Sequence, residues 1–474
     1  MKETAISIIK RLRQEGYSAY FAGGCVRDQI MGNTPKDYDI ATSARPEQVT
    51  RLFPHTVTVG AQFGVVLVLI DGQQVEVATF RSDGDYADGR HPDEVTYTDD
   101  ARLDVLRRDF TINGLLWDPL TETLLDYVGG REDIRSRIIR TIGDPRHRFR
   151  EDKLRLMRAA RFSARFGFEL EAGTHDTIQV LADQVLQVSK ERLRDELIKF
   201  LTEGYASRGI QLLETLGLLR PILPEISDLQ GVEQPAEFHP EGDVWVHTLL
   251  MLRLMDETKK HLSQGSNPTA TDWAAIPDNG VYPSVSLALG VLLHDVGKPH
   301  TFEIKDRIRF NNHCEVGARM ALRICDRLRF TQKHTERVLQ LVRDHLKFKD
   351  LPQMRPATLK RFLRQEGFEE HLELHRLDCL GSHRNLDLWR ISKDHLTHLK
   401  PEEIRPVPLI SGDDLIALGY KPGPIFKEIL KAVEDAQLDQ VISDRFQALN
   451  WVETQFNKKT ASSAGMGVDA VSEW

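Results

Sequence analysis

The sequence predicts an α+β head followed by a predominantly helical remainder. Helix and strand patterns alternate over residues 1–142, and helical spacings then take over for most of the chain. Two constellations of charged and metal-type side chains, one in each half, mark where the chemistry lies. At 474 residues the chain is too long for one hydrophobic core, and roughly 150 residues per domain suggests three or four units.

Taken in order, residues 18–22 and 65–70 read as buried strands, 75–80 as an alternating strand and 46–53 as a short helix. From 143 to about 230 the spacing of Leu154, Met157, Phe162, Leu193, Leu197 and Ile198 is helical, until Pro221, Pro224 and Gly231 break the chain. A further helical region over 231–395 is interrupted at 263–280 by Gly265, Pro268, Pro277 and Gly280, the pattern of a flexible insertion. Residues 396–457 form a last helical unit, and 458–474, small and polar, are expected to be disordered.

Composition sets limits on function. The chain is 41% hydrophobic and 28% charged, with no low-complexity tract, as in soluble globular proteins. Its longest apolar stretches, near 64–70 and 287–293, fall far short of the ~20 residues a membrane helix needs. Ile6, Ile8 and Ile9 mixed with Lys10, Arg11 and Arg13 make an amphipathic helix, not a signal peptide. Cys25, Cys314, Cys325 and Cys379 lie far apart, so no disulfide framework is expected. The expectation is a cytoplasmic protein without a membrane partner. A net charge of −8 argues against indiscriminate coating of nucleic acid, yet residues 140–165 hold nine Lys/Arg against three acids.

The first constellation begins at Tyr20-Phe21-Ala22-Gly23-Gly24-Cys25-Val26-Arg27-Asp28. A strand running into a helix through Gly23 and Gly24 lets backbone N–H groups approach a phosphate, and Arg27 can add a forked contact. Alone, such a glycine pair is ordinary turn chemistry. Asp37-Tyr38-Asp39 follows, and on a short strand Asp37 and Asp39 would share a face. Two carboxylates so placed repel each other unless a divalent cation sits between them, the arrangement nucleotidyl transfer uses with Mg²⁺. Glu76, on the alternating strand, either supplies a third carboxylate or is a surface glutamate. Arg107 and Arg108 offer phosphate neutralisation, while Asp109 and Asn113, four apart, would share a helix face suited to a ribose or to orienting a loop.

Asp152 and Arg155, three apart within the basic stripe, would be helix neighbours, either as a surface ion pair or as a protein template for a base. Cytosine and adenine both present an amine donor beside a ring-nitrogen acceptor. A carboxylate and a guanidinium match that edge, whereas uracil and guanine present a carbonyl in place of the amine.

Together Gly23-Gly24-x-Val26-Arg27-Asp28, Asp37-x-Asp39, Arg107-Arg108-Asp109-x-x-x-Asn113 and Glu151-Asp152-x-x-Arg155 resemble, in order, the motifs of the bacterial-type (class II) CCA-adding enzyme and poly(A) polymerase family. The resemblance continues through Asp126-Tyr127-Val128-Gly129-Gly130 and Lys190-Glu191-Arg192. It implies a polymerase-β-like nucleotidyltransferase head, a helical neck that reads the incoming base, and catalysis by Asp37 and Asp39 with Mg²⁺. The nucleotide-binding set it implies is Gly23, Gly24, Arg27, Arg108, Asp109, Asn113, Asp152, Arg155 and Arg158. The implied substrates are CTP, ATP and the 3′ end of tRNA or another RNA, with no DNA partner. Addition of CCA, of its terminal A, or of poly(A) all stay open. The long segment 81–104, with a plausible hinged loop at 86–92, argues against addition of CC alone.

The second constellation is His294-Asp295 after an apolar run, flanked by His247, His313, His345 and Asp378 on separate helical segments. A lone buried histidine is ordinarily a core residue. Six imidazole and carboxylate groups in this order suit Ni²⁺, Mn²⁺, Fe²⁺ or Zn²⁺. The run resembles the HD phosphohydrolase superfamily over about 238–383, which implies a metal site and hydrolysis of phosphate esters. Segment 411–424 resembles the C-terminal unit of the same nucleotidyltransferases, implying contacts to the RNA body. A phosphohydrolase with a vestigial head and a non-catalytic RNA-binding protein are the other readings.

Overall fold

The computed structural model describes residues 1–58, 64–84, 95–264 and 281–456. The expected loop at 86–92, residues 265–280 of the expected insertion and the tail at 458–474 lie outside these described residues.

Helix Lys2–Gln14 opens the chain, and Ala5, Ile8, Ile9 and Leu12, recurring at helical spacing, are all buried. They pack in one core with a seven-stranded sheet. Its strands are β1 (Ala19–Ala22), β2 (Ile40–Thr42), β3 (Thr56–Thr58), β4 (Val65–Ile70) and β5 (Gln73–Thr79). After a separate hairpin of β6 (Arg81–Asp83) and β7 (Val95–Tyr97) come β8 (Leu115–Asp118) and β9 (Thr123–Asp126). The order is β3-β4-β5-β2-β1-β8-β9. β2 runs parallel to β5, with Ile40 opposite Val77, while the other neighbours pair antiparallel.

The apolar run 65–70 reads from the sequence as wholly buried, but only Val66 and Val68 are. β4 lies antiparallel between β3 and β5, so one face meets the core and the other does not. β5 alternates as expected, with Val75, Val77 and Thr79 inward.

The helical region is built from Pro145–Glu151, Leu154–Phe166, Ala172–Leu181, Lys190–Thr202 and Ala206–Thr215. A two-residue parallel pair, Ile138–Ile139 with Glu169–Leu170, joins it to the head. One apolar core continues from the sheet through these helices into Val244–Ser263, Val285–Leu293, His313–Arg327 and Gln332–Asp344. A second core gathers around Phe348, Phe362, Phe368 and Trp389, and a third around Leu415, Ile429, Val433 and Val452. Arg361, bonded to Asp435 and Glu434, ties the third to the second. No helix among the described residues is long and apolar enough to cross a membrane.

Candidate active site and metal centre

A cavity of about 640 Å³ opens between the sheet of the head and helix Leu154–Phe166. Gly23, at φ +69°, turns β1 into helix Gly24–Ile30, and a side chain there would meet Arg108 Nη1 at 3.1 Å. Arg27 is buried beneath this turn. It donates to Asp28 Oδ1 at 2.7 and 2.8 Å and to Asn113 Oδ1 at 2.6 Å, and its guanidinium lies over Phe166. Arg27 lines the cavity with its guanidinium engaged by Asp28 and Asn113, contacts that brace the turn.

Asp37 and Asp39 do not lie on a regular strand; they precede β2 in coil, Asp37 exposed, Tyr38 buried and Asp39 at the cavity wall. The Asp39 carbonyl accepts a backbone hydrogen bond from the Ala22 N–H at 3.0 Å, while Asp37 does not line the cavity and reaches Asp39 through its charge. Glu76 lines the same cavity. Burial, and then the charges of Glu76 and Asp37, push the Asp39 carboxyl up to about 6 against the pull of Arg108.

Asp109 and Asn113 touch, but not across an α-helix. Asn113 ends the 3₁₀ turn Thr111–Asn113, and its Nδ2 donates to Asp109 Oδ1 at 3.1 Å. Arg158 donates to Asp109 Oδ2 at 2.8 and 2.5 Å. Burial would raise the Asp109 carboxyl, but Arg158 and Asn113 outweigh it and hold it at about 2.

The structure also revises the pairing of Asp152 with Arg155. The helix breaks between Glu151 and Leu154, leaving Asp152 extended, with its carboxylate accepting from the Leu154 N–H at 3.0 Å. Asp152 instead pairs with Arg192 through contacts of 3.1 and 2.7 Å. Arg155 is drawn to Glu151 and to the carbonyls of Arg148 and Arg107 at 3.1 and 3.2 Å. Both side chains still line the cavity, as do Gly23, Gly24, Arg108 and Arg158.

Other features escaped the sequence reading. Asp104 holds both Arg107 and Arg108, at 2.6 and 2.8 Å. Arg161 and Glu196 form a buried pair at 2.5 Å beside the cavity. Asp126, within a motif already noted, caps helix Gly130–Ser136 by accepting from four successive backbone N–H groups and is structural.

In the second half, all six metal-type side chains come together, five of them buried and Asp378 partly exposed. His247 lies in helix Val244–Ser263, His294 and Asp295 just past Val285–Leu293, and His313 at the start of His313–Arg327. His345 follows Gln332–Asp344, and Asp378 lies within Phe368–Gly381. His247 Nε2 is 3.2 Å from Asp378 Oδ1, and His294 Nε2 is 3.1 Å from Asp295 Oδ2, yet neither nitrogen makes a hydrogen bond. Buried ring nitrogens left without a hydrogen bond among carboxylates are the donors a divalent cation takes, so this set fits a metal.

Glu241 was missed from sequence: its Oε1 accepts from His247 Nδ1 at 2.6 Å and His239 Nδ1 at 2.9 Å, orienting His247 toward the centre. Burial alone would lower His247, but the Asp378 and Glu241 carboxylates raise it to about 9. Burial drops His345 to about 3. Lys298 Nζ contacts Asp295 at 2.7 Å and Gln234 at 2.6 Å on the wall of an adjoining cavity of about 380 Å³.

A strand-built carboxylate cleft with a helical far wall, followed by a histidine–aspartate centre, has the architecture of a nucleotidyltransferase-type head joined to an HD domain. Family models agree: "Poly A polymerase head domain" matches residues 19–140, "Probable RNA and SrmB-binding site of polymerase A" 167–229, and "HD domain" 244–375. Both the head and the HD domain imply use of divalent metal. The chain is 38% identical over 290 residues to the CCA-adding enzyme of Bacillus velezensis, covering 59% of this chain and 72% of that one. It is 46% identical over 216 residues to that of Geobacillus stearothermophilus, covering 46% of this chain and 53% of the relative. The crystal structure of the Bacillus stearothermophilus CCA-adding enzyme in complex with CTP superimposes with a TM-score of 0.68 at 26% identity, covering 97% of this chain and 98% of that one. The chain belongs to the CCA-adding enzyme family. It spans about half the length of the first curated relatives it matches, 53%, 58% and 53%.

Proposed function

We propose that this protein adds C and A, as CCA or its terminal A, to tRNA 3′ ends from CTP and ATP without a nucleic-acid template. The observation that carries the reading is the convergence of Asp39, Glu76 and the base-facing Asp152 and Arg155 on one cleft. Asp37 and Asp39, with Glu76 alongside, would hold Mg²⁺, which activates the attacking hydroxyl and neutralises the triphosphate. Gly23, whose own N–H donates to the Leu115 carbonyl at 3.1 Å, makes the turn that brings the Gly24 N–H toward the phosphates, and Arg108 supplies charge. Arg27 holds that turn from beneath, and Asp109, Asn113 and Arg158 brace the wall where the ribose and base would lie. Asp152 and Arg155 present an acceptor and a donor to the edge shared by cytosine and adenine. Arg192 orients the Asp152 carboxylate, which keeps lone pairs for the base amine, and Arg155 shares its guanidinium with Glu151, so discrimination depends on those partners as well.

The solved structures of related CCA-adding enzymes with CTP, ATP and tRNA support this reading over poly(A) synthesis. Division into a head (1–142), neck (143–230), HD domain (231–395) and RNA-holding C-terminal unit (396–457) belongs to the same proposal, as does a cytoplasmic site of action. The deciding experiment offers tRNAs lacking the whole CCA end, carrying its first C, or carrying both Cs, with labelled CTP or ATP. Addition of C and then A to the first, in that order, is expected. Addition of A to the last with no addition to the other two identifies an A-adding enzyme, and long A tracts on any RNA overturn the tRNA reading.

A second activity rests on the six converging residues of the HD centre and its unbonded His247 and His294 nitrogens. His247, His294, Asp295 and Asp378, with His313 and His345 beside them, would hold a transition metal: Ni²⁺, Mn²⁺, Fe²⁺ or Zn²⁺. Such a metal polarises a phosphate ester and its attacking water. The adjoining cavity, lined by Lys298 and Arg307, suits an anionic substrate.

A further inference from the structure

The HD centre contains a thiol that neither the sequence reading nor its resemblance includes. His294, His313 and His345 each donate Nδ1–H to a backbone carbonyl, of Val291 at 2.9 Å, Phe310 at 2.8 Å and Val342 at 2.7 Å. A carbonyl can only accept, so in each neutral ring Nε2 carries the lone pair. His313 Nε2 and His345 Nε2 then face each other at 3.4 Å as two acceptors with no proton to share. Cys314 Sγ stands 3.7 Å from His313 Nε2, and the three donor atoms lie within 4.8 Å of one another. Asp295 Oδ1 is 3.5 Å from His313 Nε2 and 3.8 Å from His345 Nε2.

These spacings fit one tetrahedral ion. Metal–nitrogen bonds of ~2.05 Å and a metal–sulfur bond of ~2.3 Å place two nitrogens about 3.3 Å apart and nitrogen and sulfur about 3.6 Å apart. The other oxygen, Asp295 Oδ2, turns the opposite way, to His294 Nε2 at 3.1 Å and Lys298 Nζ at 2.7 Å. The two oxygens of one carboxylate thus serve two neighbouring groups of donors.

We propose that Cys314, His313 and His345 form a thiolate-containing metal subsite, joined through Asp295 to a second subsite on His247, His294 and Asp378. The thiol loses its proton to solvent as the ion binds, and no electron changes hands. A soft sulfur donor favours Zn²⁺ or Co²⁺ over Mg²⁺ at this position. The inference rests on reading the six-residue centre as a metal site, so its test separates the two.

The full chain is stripped of metal and titrated with Co²⁺ alone, following cobalt uptake and the near-ultraviolet thiolate-to-cobalt charge-transfer band. The wild type is expected to show the band. Cys314→Ser should lose it together with about one bound ion, with an unchanged metal-free melting curve. Cys314→Asp, an oxygen donor at the same place, should restore uptake without the band, which guards against simple misfolding. A band that survives Cys314→Ser overturns the proposal. Cobalt uptake that depends on His294 but gives no band in the wild type overturns the thiolate subsite and leaves the metal centre standing. No His294-dependent uptake at all brings down both.

Discussion

Asp39 and Glu76 each stand one residue before a paired position of two parallel strands, Ile40 of β2 opposite Val77 of β5. The pairing brings together two carboxylates that the sequence separates widely, and Glu76 leads Asp37 among the charges that raise the Asp39 carboxyl. Like charges held in one cleft are costly until a cation joins them. Asp39→Ala should therefore cut CTP and ATP incorporation by at least about a hundredfold while leaving RNA affinity largely unchanged. Residual incorporation within about tenfold of wild type would remove Asp39 from the metal site. Glu76→Gln should cost about tenfold and raise the Mg²⁺ concentration needed for half-maximal rate. A surface glutamate would change neither.

The Asp152–Arg192 contact makes base choice a shared property of two segments. Removing the carboxylate that accepts from the amine of C and A should raise UTP relative to CTP incorporation about tenfold, more than it slows CTP addition. Arg192→Ala should move the same ratio in the same direction, since it frees Asp152 from its oriented position. The double variant should show less than the sum of the two effects, as expected for side chains in contact. An unchanged ratio in Asp152→Ala would make that residue a helix cap and no more.

How much of this was legible depended on whether chemistry or partnership was being read. The two sites were legible because both need unusual residue types at short spacings: Gly23-Gly24, Asp37-x-Asp39, His294-Asp295. The helix break after Glu151 was not, because the Glu151-Asp152-Lys153-Leu154 stretch holds no Gly or Pro to announce it. Arg27 and Arg155 offered free guanidiniums on paper and are claimed in the fold by Asn113 and Glu151, a choice set by tertiary proximity. Glu241 and Cys314 went unread for a different reason: each adjoins or precedes a ligand by a spacing no motif prescribes. The half-exposed β4 shows the same limit, since its apolar run gives no sign of which face meets the core.

Asp109 should leave a signature in acid. Its folded-state carboxyl, near 2, lies below the ordinary value of 3.8, so it contributes stability above the unfolded value and loses it as pH falls through about 2. Because the group is buried, the shift corresponds to roughly 2 kcal/mol. Asp109→Asn should destabilise the head by about that much at neutral pH, and the difference from wild type should shrink between about pH 4 and pH 2. Equal stability of the two proteins at neutral pH would show that Arg158 finds an equivalent partner elsewhere.

The HD centre should be separable from nucleotide addition. The two sets of ligands lie on different elements, and none of the six HD side chains lines the cleft that holds Asp39. His294→Ala combined with Asp295→Ala should abolish metal-dependent hydrolysis of 2′,3′-cyclic or 2′-phosphate ends and spare CTP incorporation to within about twofold. Stability is the complication, because a bound ion staples several helices and one apolar core joins the HD helices to the neck. Matched melting curves, with and without chelator, must accompany the assay: chelation should lower the wild-type transition and leave the double variant unmoved. Hydrolysis that persists in a folded double variant removes these residues from the hydrolytic site. Addition that fails in a folded double variant shows instead that the continuous core transmits the state of the HD centre to the cleft.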